Sequence, residues 1–455
     1  MKKFKVVFMT IIIVIYSFTL TGCAGKEPNE IAYIVALGID GAENDNYEIT
    51  IQYANPTQIS GGASEEGGKS GSEIVENIVV EAPNIYAAVG LANHIVSKTF
   101  SLSHAKIIVF SQEVAKKGLK DITETFIRSE ELRPDVYLAV AENANEYLTS
   151  VKPVMEVNPA KYYQLIYDKN NLMGIPEGVA KNFFFGIETK DYDSLLPAAG
   201  VISGGQGGAS EGAGAQGSGS QGGSSEGNGS ESGGGNSSQG GSQSEEMQKN
   251  SKQQEAPLNE SGFEYKMKSY TGGQAAIEFK NKSEAMGSVI FDGDKMAGTI
   301  GSIETEIFKM LVGDYKYSYI TLYNDKTPEE PVTVKSIQEK RPKYDIDIDN
   351  KKINVELFIE GDVYSLPSDY NIESDIENFE KNSGEYIEKA GEEFMSGFLK
   401  SYNCDIFRLN EKCKKKFLTN KEYNEFKDSV DYSDFDVNVK ANFKIRRTGL
   451  VVRED

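Results

Sequence analysis

Apolar residues recur along this chain in three different patterns, and each pattern predicts a different kind of element. The first is a continuous run from Val6 to Leu20, preceded by Lys2, Lys3 and Lys5. At about 15 residues it falls short of the roughly 20 needed to cross a bilayer core, so it predicts a secretory signal peptide rather than a permanent transmembrane helix. The run Ile31–Asp40 predicts a buried strand, and Tyr47–Tyr53 alternates as its half-buried partner across the turn 41–46. Further strands are predicted at Ile74–Val80, Ala105–Phe110 and Asp135–Val140. Helices are predicted between them. Asn84 caps one that carries Ile85, Val89, Ala92 and Val96 on one face, Ser111 or the residues after it open a second, Asp121 caps a third with Ile122 and Phe126 inward, and Asn143 opens a fourth. Strands alternating with helices predict an α/β layer arrangement, and the opening hairpin predicts a mixed sheet.

The pattern changes beyond Gly200. From Ser203 to about Gln254 only Met247 is a large apolar residue, and Gly, Ser, Gln, Asn and Glu fill the rest. Such a segment cannot bury enough surface to offset its ordering entropy, so a disordered linker is expected, with an end-to-end distance of roughly 40 Å. After it, Ala275–Phe279 and Gly287–Phe291 read as strands, with 292–295 a hairpin turn, and Glu304–Leu311 as a short helix. Tyr344–Ile348 and Ile353–Ile359 alternate strictly around a turn at 349–352. A long helix is predicted from near Ile372, with Ile387, Ala390, Phe394, Phe398 and Tyr402 as its apolar stripe, and Val437–Ile445 alternates as a closing strand. This second region is predicted as α+β, with an antiparallel sheet and one dominant helix. The expected division is a signal peptide over 1–22, a tether over 23–30, an α/β domain over 31–200, a linker over 201–256 and an α+β region over 257–455. The fold class is therefore α/β plus α+β, multidomain, with mixed β-sheets flanked by helices.

Charge narrows the partners. The 455 residues carry a net −21, and removal of residues 1–22, which hold three lysines and no acid, takes this to −24. So acidic a body argues against nucleic acid as a partner and against electrostatic attraction to an anionic membrane. Of three cysteines, Cys404 and Cys413 lie in the second region. On one helix they would stand ~13 Å apart. Disulfide Cα atoms lie within about 7 Å, so both are expected as packing or free thiols.

Two motifs suggest chemistry and fail on context. Ala63–Ser70 fits a relaxed phosphate-loop pattern, but the preceding strand ends near Tyr53, and Glu65 and Glu66 occupy the place of the phosphates. Asp345–Glu356 has the acid spacing of a calcium loop, with Asn350 where glycine is wanted. Arg341-Pro342 interrupts an entering helix there, and a hairpin with a solvated acidic face accounts for every residue without metal. His94 and His104 are the only histidines, and no Gly-x-Ser-x-Gly or Cys-x-x-Cys occurs. No catalytic residue, metal or cofactor is assigned.

The signal region ends in Leu20-Thr21-Gly22-Cys23, which resembles the bacterial lipobox. The resemblance implies cleavage before Cys23, diacylglycerol on its thiol and usually a further acyl chain on the new amino terminus. Two or three acyl chains make a stable anchor where one would be marginal. The order of later segments carries a wider resemblance. It runs through Leu37-Gly-Ile-Asp40, Leu102-Ser-His-Ala-Lys-Ile-Ile-Val109, Gly118-Leu119 and Ile127-Arg-Ser-Glu-Glu-Leu-Arg-Pro134. It continues through Gly287–Phe291, Lys295–Gly298, Cys404-Asp-Ile-Phe407 and Arg446-Arg-Thr-Gly449. The chain resembles the Ger(x)C family, the lipoprotein C subunits of GerA-type nutrient germinant receptors in endospore-forming bacteria. The resemblance implies a non-enzymatic accessory subunit on the outer face of the spore inner membrane or cell membrane, partnered by multispanning A and B subunits. Ser103, His104, Lys106, Arg128, Glu131 and Arg133 match the family pattern and are candidate partner contacts; a capped strand start and a solvated helix end account for them equally. The long linker departs from the family pattern and predicts loose coupling between the halves. A lipid-anchored solute-binding protein is the alternative function, and an extracytoplasmic hydrolase a third that lacks a visible nucleophile–base set.

Overall fold

A computed structural model describes residues 8–10, 30–54, 75–153, 156, 159–168, 174–202, 269–275, 277, 281–324, 327–368, 370–402 and 404–449. The signal run apart from 8–10, Cys23, the phosphate-loop match and the linker from 203 on lie outside the described residues; Val201 and Ile202, expected in the linker, are described, and Val201 ends a strand.

The first sheet has nine strands. Its centre is β1 (Ile31–Gly41), β5 (Ile107–Ser111), β6 (Tyr137–Ala141) and β7 (Leu195–Val201), all parallel. On one side β2 (Tyr47–Ala54) and β3 (Val75–Ala82) add antiparallel, and β4 (Thr99–Ser101) runs parallel to the start of β1. On the other side stand β8 (Ser283–Asp292) and β9 (Lys295–Ile300). A bulge in β1 between Ile34 and Ala36 puts Ile34, Leu37 and Ile39 on one face and Ala36 on the other. The larger face packs on α1 (Ile85–Ala92), α2 (Gln112–Lys117), α3 (Lys120–Ile127) and α6 (Ala180–Thr189). The smaller face is built of Ala36, Ala139, Ala141 and Ala199 around Ile107 and Val109, and the tyrosines of α4 (Ala144–Ser150) and α5 (Pro159–Tyr167) fill the space above it. Gly38 belongs to that face: a Cβ there would lie 3.0 Å from Leu148 Cδ1. Asp40, buried at the end of β1, accepts from the backbone N–H of Ala144 (2.8 Å) and Asn145 (2.9 Å) and so caps α4.

The second sheet runs β10 (Tyr317–Asn324), β11 (Thr327–Asp347), β12 (Lys352–Ser365) and β13 (Asp436–Arg447) in that order. Its strands alternate apart from bulges in the β11–β12 pair, buried positions facing α7 (Ser302–Val312) and the 26-residue α8 (Ile376–Ser401). The hairpin predicted over 344–359 is present, and Asp347 Oδ1 accepts from Asn350 N (3.0 Å) inside its turn. The fold is thus a mixed α/β architecture with two helix-flanked sheets.

Five expectations are corrected. Gly287–Phe291, read with the region after the linker, lies in β8 and pairs with β7 from Leu195↔Ile290 to Val201↔Ser283, so the first sheet takes strands from both sides of the linker. Its residues serve two cores, Val289 and Phe291 toward the first and Ile290 toward the second. The described residues of 275–279, Ala275 and Ile277, are not in a strand. The second sheet is not purely antiparallel, because α8 carries the chain back so that β13 pairs parallel to β12. Cys404 and Cys413 do not share a helix: α8 ends at Ser401 and a new short helix, α9 (Leu409–Cys413), begins after Arg408, which adopts φ 59°. Both thiols are buried and free. Asp121 is not the cap of α3. The helix starts at Lys120, and Asp294 Oδ2, from the β8–β9 turn, accepts from Lys120 N at 3.2 Å.

Candidate functional site

The N-terminal ends of the parallel strands gather most of the residues singled out in the sequence. Lys106 bridges two of those strands through its backbone: its N–H donates to Val35 O (2.9 Å), and its carbonyl accepts from Tyr137 N (2.9 Å). The turn before it carries Ser103 and His104. Ser103 Oγ lies 2.9 Å from Ser101 Oγ and 3.0 Å from His104 Nδ1, and the imidazole rests on the Tyr33 ring at 4.4 Å between centroids. Glu131 reaches over from the loop after α3 and accepts from Leu102 N (3.1 Å), fastening that loop to the turn. Burial lowers the His104 pKa below its ordinary value, and the positive charges of Lys106 and Arg133 push it the same way, so the ring is neutral at neutral pH. Arg128 stands apart. It folds back on its own helix to Glu124 (Nε to Oε1, 2.9 Å) and is mostly exposed.

This arrangement presents a polar surface and lacks the geometry of a Ser-His-Asp triad. A catalytic histidine is oriented by a carboxylate, whereas the charges acting on His104 are cations, and Glu131 is engaged by a backbone N–H. Five of the six residues therefore form one patch, and the sixth belongs to a solvated helix end.

A second polar centre, which the sequence reading did not single out, sits where the two sheets meet. Asp193 Oδ1 accepts from Gly293 N (2.8 Å) and its Oδ2 from Asp405 N (2.7 Å), while Asp193 N donates to Asp405 O (3.0 Å). Asp405 accepts from Leu409 N (2.9 Å) and Asn410 N (2.8 Å), capping α9. Burial pushes the Asp405 carboxyl up to about 6, and it pushes Lys412 beside it down to about 8, against the attraction of Asp405 itself. Two residues from Asp193, Asp191 accepts from Tyr423 Oη (2.9 Å) and pairs with Lys427 Nζ (3.1 Å) on α10 (Asn420–Ser429). A cleft of about 490 Å³ opens here, with Lys120, Lys190, Asp294 and Tyr432 in its walls. Asp405 precedes Leu409 by four positions, beyond the reach of an ordinary N-cap, so its role carries no local signal. Nothing local marks Asp193, whose partners lie 100 and 212 positions away.

Comparison with known proteins follows these two regions. A family described as "Spore germination protein N-terminal domain" matches residues 25–201, and one described as "Spore germination B3/ GerAC like, C-terminal" matches residues 286–449. The chain belongs to the Ger(x)C family. This Ger(x)C chain is 26% identical to "Spore germination protein KC" of Bacillus subtilis (strain 168) over 190 residues, 38% of the chain and 46% of that protein. It is 22% identical to "Putative spore germination protein YfkR" of the same organism over 158 residues, 34% of the chain and 41% of that protein. The matched segments thus span less than half the length of either relative. A solved structure, "Crystal Structure of the GerBC protein", aligns over 90% of this chain and 96% of that chain, at 15% identity and a TM-score of 0.47. The first family match of this Ger(x)C protein stops at Val201, at the end of β7, and the second begins at Met286, inside β8. The seam between the two matches therefore runs between neighbouring strands of one sheet.

Proposed function

We propose that this protein is a lipid-anchored, non-enzymatic C subunit of a nutrient germinant receptor, held at the outer face of the spore inner membrane beside multispanning A and B subunits. The observation that carries this reading is the pair of family matches flanking the linker, in a chain whose apolar leader ends in Leu20-Thr-Gly-Cys23. Among the described residues no helix is long and apolar enough to cross a membrane, and a lipid on Cys23 supplies the attachment that the acidic body does not. The patch of Ser103, His104, Lys106, Glu131 and Arg133 is the proposed partner contact, with Arg128, turned onto Glu124, apart from it.

The test is Cys23→Ala. The variant is expected to fold and to leave the membrane fraction, and mass spectrometry of the wild type is expected to find diacylglycerol at Cys23 with residues 1–22 absent. Unchanged membrane retention in the variant overturns the anchor. Spores lacking the gene are expected to lose the response to at least one nutrient.

A further inference from the structure

The turn that leads from α1 into β4 carries two aliphatic side chains out into solvent. Leu91 is 51% exposed and Ile95 74%. They stand one helical turn apart, because the chain continues helically past α1: His94 N donates to Leu91 O and Ile95 N to Ala92 O, both at 3.0 Å. Ala88 and Ala92 in the same segment are fully buried. The turn is also pinned. Asn93 Oδ1 accepts from Phe100 N (2.8 Å) in β4, and β4 pairs residue for residue with the start of β1, Ile31↔Thr99 to Tyr33↔Ser101. The exposed pair is thus fixed beside the point where the chain enters the fold. Ile31 lies eight positions from Cys23. An extended chain spans at most ~3.6 Å per residue, so this end of the sheet lies within about 29 Å of any lipid on that cysteine.

We propose that Leu91 and Ile95 dip into the outer leaflet of the bilayer, pressing the N-terminal ends of the parallel strands against the membrane and turning the Ser103–Arg133 patch toward integral partners. This rests on the anchor reading given above. The occupant is lipid because the tether keeps this end within about 29 Å of the bilayer, and because two aliphatic residues make a wedge for acyl chains. Tyr317, Tyr319 and Tyr364, the exposed rings of the second sheet, have no such tether beside them.

The protein contains no tryptophan, so Ile95→Trp creates a single reporter at an exposed position. The mature acylated protein is reconstituted into phosphatidylcholine–phosphatidylglycerol vesicles with brominated acyl chains. Leu418→Trp is the control: Leu418 is 96% exposed and neighbours α10, which grips Asp191 beyond the far end of α6. The expected result is a blue shift and at least twofold quenching for Ile95→Trp, with neither for Leu418→Trp. Leu91→Trp must give the same result and covers a folding defect at position 95. Protein retained on the vesicles with both reporters at 91 and 95 unquenched overturns the wedge and leaves the anchor intact. Protein that fails to stay on the vesicles overturns the anchor and the wedge together, and the mass of the Cys23 peptide identifies that outcome.

Discussion

The two sheets of this molecule solve the same problem, covering an apolar surface, in opposite ways. The first is covered on both faces, and its central strand β1 is buried almost throughout. The second is covered on one face, and its strands alternate, as β13 does between buried Val439 and Phe443 and exposed Lys440, Asn442 and Lys444. The second sheet then has an edge to manage. α8 runs antiparallel to β13 and lays carboxylates along it: Glu392 accepts from Val439 N (2.9 Å), Glu388 from Ala441 N (3.0 Å) and Glu380 from Ile445 N (2.8 Å). The register works because four helical residues rise about 6 Å while two strand residues span about 6.6 Å. At the missing step, Gly384, a Cβ would come within 2.8 Å of Ala441 O. The lesson is that a helix can finish a sheet edge with side chains as well as bury its face.

The largest expected effect separates the two regions by how their glycines are packed. At Gly200 in β7 an added Cβ would lie 2.1 Å from the backbone carbon of Gly272, where nothing flexible can yield. Gly200→Ala is expected to cost about 3 kcal/mol or more in denaturant unfolding. Gly391 in α8 meets only Val439 methyl groups, at 3.2 Å. Gly391→Ala should therefore stay within about 1 kcal/mol of wild type, the helical preference for alanine offsetting the crowding. Equal losses at both positions would break the contrast.

The junction between the sheets is expected to respond to pH. The folded Asp405 carboxyl titrates at about 6, above its ordinary 3.8, so the fold holds that proton more tightly than the unfolded chain. The stability this contributes is full below about pH 4 and is lost as pH rises through 6, a change of roughly 2–3 kcal/mol. Asp405→Asn should remove it, so wild type should fall relative to the variant between pH 4 and 7; parallel curves from thermal melts would contradict the assignment. The edge carboxylates come next. Glu388→Ala and Glu392→Ala are each expected to lose about 1–2 kcal/mol by freeing a backbone N–H, and Gln at either site should recover most of it. The smallest effect is chemical. Burial raises the pKa of Cys404 and Cys413, so both should resist a thiol reagent at pH 8 until the protein unfolds, and immediate labelling would place one at the surface.

Much of this was readable in the sequence wherever the cause is local. The caps at Asn84, Ser111 and Asn143 are present, accepting from Ala87 N (2.9 Å), Val114 N (3.3 Å) and Glu146 N (2.7 Å). The opening hairpin and the alternating strands of the second sheet also follow from neighbours in the chain. What escaped is set by partners distant in sequence. The pairing of β8 with β7, the capping of α3 by Asp294 and the Asp193–Asp405 link join residues far apart in the chain, and hydrophobic period carries no such information. The candidate patch was legible as residues but not as a group. The cation environment of His104 and the separation of Arg128 depend on how the β4–β5 turn meets the loop after α3.

Because Val201 and Ser283 face each other across a ladder, the covalent path between them is a detour from one side of a rung to the other. A protease that nicked the serine- and glycine-rich detour would yield two polypeptides on a denaturing gel and one particle on a sizing column. That makes the segment a natural place to graft a reporter or an affinity tag, or to divide the gene into two co-expressed pieces.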